Sequence, residues 1–134
     1  MSIQSVRIAL ETALNAMTPA LASTWQNMPY TPVTGTPYQK VFILTAEPGN
    51  AEYGAHYQER GIFQVTLMYP LMTGPAAAEA RGELLRTTFA RGNSFVSGSV
   101  TVTIERTPHI GQGMVDEDRW AVPVKIRWFS NIST

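Results

Sequence analysis

The chain has 134 residues, ten basic and ten acidic side chains, 44% hydrophobic and 15% charged residues, and no cysteine. That length buries about 68–70% of the surface its unfolded form exposes, so a single domain over residues 1–134 needs no disulfide or metal staple. The lack of cysteine excludes disulfide frameworks, thiolate zinc sites and cysteine nucleophiles, and a formal charge of zero supplies no net positive field of the kind that non-specific binding to nucleic acid or anionic membranes usually requires. No apolar run of about 18 residues occurs, so neither a signal peptide nor a membrane span is expected. So low a charge content, with ten glycines and nine prolines, hints at a surface partly covered by neighbouring chains.

Residues 2–17 place Ile3, Val6, Leu10, Ala13, Leu14 and Met17 at steps of three and four, the period of one helical face. Thr18-Pro19 ends this first helix. Residues 20–37 are rich in proline but carry Trp25 and Tyr30, which predicts an ordered connector held against the sheet by its rings. The β-branched and aromatic run over 39–46 predicts a first strand, and the alternation over 61–69 a second. The dozen residues between them exceed a tight hairpin and form a candidate contact arm.

Pro75 followed by an alanine-rich segment predicts a second helix over 76–90, with Ala77, Ala80, Leu84, Leu85 and Phe89 as its buried stripe. Alternation over 99–106 and 120–129 predicts strands three and four, joined by a polar loop. The expected fold class is α+β: a two-layer sandwich in which two helices cover a mainly antiparallel four-stranded sheet, in the order αββαββ.

Nothing in this pattern demands a cofactor, a metal or a catalytic set. His56 and His109 fall in predicted loops without carboxylates at ligand spacing. Asp116-Glu117-Asp118 lacks the alternating ligands and closing glutamate of a calcium loop and reads as a solvated turn or a charged contact. Arg81, Arg86 and Arg91 step by five, so they turn about 140° each time and make no shared phosphate ridge. Eight arginines against two lysines suit bidentate carboxylate pairing at subunit contacts. There is no glycine-rich phosphate loop after a strand and no nucleophile elbow.

Several segments together resemble a known family. An opening helix carries Arg7 and Leu10-Glu11-Thr12, followed by Trp25-Gln26-Asn27-Met28-Pro29-Tyr30 and then Pro37-Tyr38 at the first strand. At the centre stand Glu59-Arg60-Gly61-Ile62-Phe63-Gln64-Val65, Tyr69-Pro70, Gly74 and a helix ending Phe89-Ala90-Arg91-Gly92. Over nearly its whole length the chain resembles tail terminator (tail completion) proteins of long-tailed bacteriophages.

The resemblance implies a non-enzymatic virion protein, assembled in the host cytoplasm and placed at the head-proximal end of the tail. It would form a hexameric ring on the tail tube, from subunits that can be monomeric when free, stop tube polymerisation and present a surface to the head–tail connector. DNA would pass through without specific binding. A domain of this length approximates a sphere about 36 Å across, and six in contact leave an opening of about 35 Å, wide enough for duplex DNA.

The loops over 49–57 and 109–119 are the expected contact arms, with Tyr53, Tyr57, Arg60 and Arg119 as expected subunit or tube contacts, since aromatics and arginines anchor interfaces. A head-completion or neck connector protein is the alternative within the structural class. A small-ligand-binding α+β domain is the alternative outside it, and would require Trp25, Tyr30 and a histidine to gather in a pocket beside perturbed carboxylates.

Overall fold

The computed structural model describes residues 2–17, 22–25, 36–47, 57–71, 74–116 and 119–132. Its elements are α1 (Ser2–Asn15), β1 (Ala22–Thr24), β2 (Tyr38–Thr45), β3 (Tyr57–Pro70), α2 (Ala76–Thr88), β4 (Ser94–Ser97), β5 (Val100–Ile104), β6 (His109–Ile110), β7 (Met114–Asp116) and β8 (Arg119–Ile132). One sheet runs β1-β2-β3-β8-β5-β4, with β6 and β7 also paired to β8. The β1–β2 pair is parallel and every other pairing is antiparallel.

The expected four-stranded sheet in the order αββαββ is therefore corrected to eight strands among the described residues, in the order αβββαβββββ. The four unforeseen strands, β1, β4, β6 and β7, are two to four residues long. Segments so short show no alternation to read, and they become strands only because an existing edge offers them backbone partners. The expected loop over 109–119 is likewise corrected: five of its residues lie along β8 as β6 and β7, and Arg119 opens β8 itself.

β3 and β8 pair over their full fourteen residues, from Tyr57 opposite Ile132 to Pro70 opposite Arg119. Alternation places Phe63, Val65 and Leu67 on one face, opposite Ile126, Val124 and Val122, and Val41 and Ile43 of β2 extend the same face. All are buried. α1 covers the β4–β5 side of this face and α2 lies against β3 and β8. Val6, Leu10 and Leu14 of α1 are buried as the spacing predicts, and burial of each side chain contributes about 1.5–3 kcal/mol. Phe89 sits between Phe63 and Phe95 at centroid distances of 5.8 and 5.3 Å, tilted against both, and joins the end of α2 to the sheet.

Leu85 of α2 and Phe89 just past its end are buried as expected and Leu84 packs against the core, but the start of the helix is rotated from its expected phase. Ala78, Arg81 and Gly82 are buried there, while Ala77 and Ala80 are exposed. Alanine at four of the first five positions, around Glu79, gives several faces of the helix start the same apolar character. Gly82 decides between them: a Cβ there would meet Ile110 of β6 at 3.0 Å, so the helix approaches the sheet through the one residue that lacks a side chain.

Gly61 occupies a second close approach, between Thr45 and Trp128 in the ladder. A Cβ there would collide with the Leu44 carbonyl oxygen and press on the Trp128 ring. Gly61→Val is expected to lower stability by about 1–3 kcal/mol, read as a shift in the urea midpoint; an unchanged midpoint would show that β2 can move away freely.

Glu11 provides a pH signature. Burial on α1 raises its pKa above 4.5, and the attraction of Arg7, 3.5 Å away, only partly opposes this. The folded state then holds this proton more tightly than the unfolded chain, so stability falls as pH rises through the raised value. Glu11→Gln is expected to gain stability over the parent at pH 7 and to lose that advantage below about pH 4.5, as followed by denaturation at several pH values.

Candidate assembly surface

The face of the sheet opposite the helices has two regions with different chemistry. At the Arg119 end, Tyr38, Met68 and Ala121 lie side by side across β2, β3 and β8 and are buried. Arg119, only 4% exposed, lies over the Tyr38 ring at 5.0 Å and donates from Nη1 to the Thr36 carbonyl. Its guanidinium thus ties the start of β8 to the segment entering β2. Nearby, Lys40 stands 4.0 Å from Asp116 in a half-exposed pair.

Towards the Tyr57 end the same face is open. Phe42 and Leu44 of β2 are 38% and 52% exposed, and Ile62 of β3, directly opposite Leu44, is half-buried. Arg60 and Arg127 border them, both exposed. These side chains point away from the helices because alternation has already committed Val41, Ile43, Phe63 and Ile126 to the core. Leu44, Ile62, Arg60 and Arg127 line a shallow depression of about 360 Å³. Further exposed apolar residues lie at strand edges: Val96 on β4, and Met114 and Val115 on β7.

The expected contact residues do not form one cluster. Tyr57 and Arg60 lie near one end of β3, whereas Arg119 pairs with the other end, about ten residues or 33 Å away along the strand. Tyr53 and His56 lie outside the described residues, as do Tyr30, Glu117, Asp118 and most of the 49–57 arm. His109 is exposed on β6, and Trp25 packs against the core. The described residues contain no group of three or more potential metal ligands. They contain no helix long and apolar enough to cross a membrane.

The apolar patch at Phe42, Leu44 and Ile62 is not legible in the sequence, because the contiguous apolar run over 41–44 does not show which side chains of β2 face solvent. Nor is the burial of Arg81, which follows from the observed phase of α2. Burial lowers the Arg81 pKa, partly offset by Tyr69; Tyr69 is itself raised by burial and held back by Arg81.

Residues 5–128 match the family described as phage tail terminator protein. Among solved structures, one protein whose name carries no functional description is 27% identical, with a TM-score of 0.81, covering 100% of this chain and 99% of its own. A chain from the virion of a native gene transfer agent particle shares the fold at a TM-score of 0.71 and 14% identity, covering 97% of each chain. No curated protein matches.

Arg119→Ala is expected to cost about 2–3 kcal/mol of stability, since it removes a charged hydrogen bond and a ring contact together. Arg119→Lys should recover less than half of that in the same denaturation measurement, because an ammonium cannot stack its plane on Tyr38 while reaching Thr36.

Proposed function

The chain belongs to the phage tail terminator family, and on that premise we propose that it closes the tail tube as a ring, halts polymerisation and offers its far side to the head–tail connector. Family membership makes it a structural component of the phage tail. The finer reading is that one domain over 1–134 assembles as a hexamer at the head-proximal end, with DNA passing through the opening. The observation that carries this reading is the uncovered sheet face, where Phe42, Leu44 and Ile62 stand exposed or half-exposed beside Arg60 and Arg127. Apolar side chains rimmed by arginines are the composition of an interface centre with its polar border.

Ring subunits need two different surfaces that meet head to tail, and a sheet with one helix-covered face and one open face provides that asymmetry. Tyr57 and Arg60, near the same end of β3, belong to this proposed contact region.

Mixing the purified protein with polymerising tail tube protein, followed by electron microscopy, tests the reading. Shorter tubes with an extra ring at one end are expected, and tubes of unchanged length and end structure would shift the assignment to a neck connector. Leu44→Thr combined with Ile62→Thr should strongly weaken capping while leaving stability within about 1 kcal/mol, because neither residue belongs to the core and threonine suits a strand.

A further inference from the structure

Half of the ten basic side chains lie on one side of the molecule, although the net charge is zero. A groove of about 1010 Å³ is lined by Arg91, Arg106, Lys125, Arg127 and His109, with Glu105 as its single carboxylate. Arg60 continues the basic surface through the adjoining depression, which shares Glu105 and Arg127 with the groove. The four Arg and Lys side chains of the groove are exposed, and among the described residues none makes an ion pair.

The fold builds this groove from separate parts of the chain. Lys125 and Arg127 alternate onto the same face of β8, about 7 Å apart, and Lys125 stands opposite His109 of β6. Gly92 N–H donates to the Ile104 carbonyl at 2.9 Å, and Ile104 N–H donates to that of Asn93 at 2.9 Å. These bonds hold the turn after α2 against the end of β5 and bring Arg91 beside Glu105 and Arg106. Glu105 N–H donates in turn to the Arg127 carbonyl at 2.9 Å.

We infer that this groove binds the phosphate backbone of duplex DNA without sequence preference. Four cations held close together, with one carboxylate between them, carry a repulsion that a polyanion relieves. The lining has no Phe, Tyr, Trp, Leu, Ile, Val or Met. A protein partner would find no apolar anchor there, whereas phosphate binding draws its affinity from charge and released counterions alone. The inference stands on the groove itself and does not depend on ring formation.

The test is fluorescence anisotropy of a labelled mixed-sequence DNA duplex titrated with the full-length protein between about 25 and 150 mM salt. Three to four phosphate contacts predict that affinity falls with salt at a logarithmic slope of about −3, with the same affinity for an unrelated duplex. Arg106→Glu with Arg127→Glu should weaken low-salt binding at least tenfold, and Arg91→Gln with Lys125→Gln should reduce the slope by about 2 with the thermal midpoint preserved.

Absence of low-salt binding by the parent protein, or binding indifferent to both pairs of substitutions, would overturn the inference. Groove variants that keep duplex binding but lose tube capping would also overturn it, assigning the groove to an acidic protein surface. Failure of the parent protein to cap tubes would leave the duplex result untouched, so the two readings fail separately.

Discussion

The β3–β8 ladder is the constraint from which the rest of the molecule follows. Fourteen consecutive residue pairs hold two strands in one register, and a slip of β8 by one residue past β3 would send Val122, Val124 and Ile126 to the open face. β8 also serves three further strands along its other edge: β7 near its start, β6 in its middle and β5 near its end. Pro123 fits inside so busy a strand because its peptide groups point towards β6. Its carbonyl accepts from Gly111 N–H at 2.7 Å, so the missing donor takes nothing from the pairing with β3.

Because that register is rigid, it also decides what remains outside. Both helices lie on the same face of the sheet, and alternation therefore concentrates the core there and leaves the reverse face to be finished in two ways. Near Arg119 the chain covers itself, with Tyr38, Met68 and Ala121 packed together and a buried guanidinium holding the strand ends. Near Arg60 it does not, and apolar side chains meet solvent beside arginines. A phage tail protein has use for such a division. One half of the face secures the subunit and the other is available to neighbours.

Charge follows a similar logic. A total of zero says nothing about distribution, and here the turn after α2, the β5–β6 connection and the middle of β8 converge to place like charges in one groove. No single segment contains this cluster, since its members span positions 91 to 127. A sequence reading that tested arginines along one helix could not find it, because only Arg91 of that series takes part.

The sequence by itself determined α1 and its buried face, the long alternating strands, the existence of α2 and the family resemblance, because each rests on periodicity or on contiguous motifs. Val6, Leu10 and Leu14 needed no partner to be identified as a buried stripe. Tertiary structure alone decided the four short strands, the phase of α2, the burial of Arg81 and Arg119, and the exposure of Phe42 and Leu44. The physical reason is the same in each case. A two-residue strand, a helix with alanine on several faces and an amphipathic strand residue are locally degenerate, and the degeneracy is lifted only by backbone groups and side chains that arrive from distant positions in the chain.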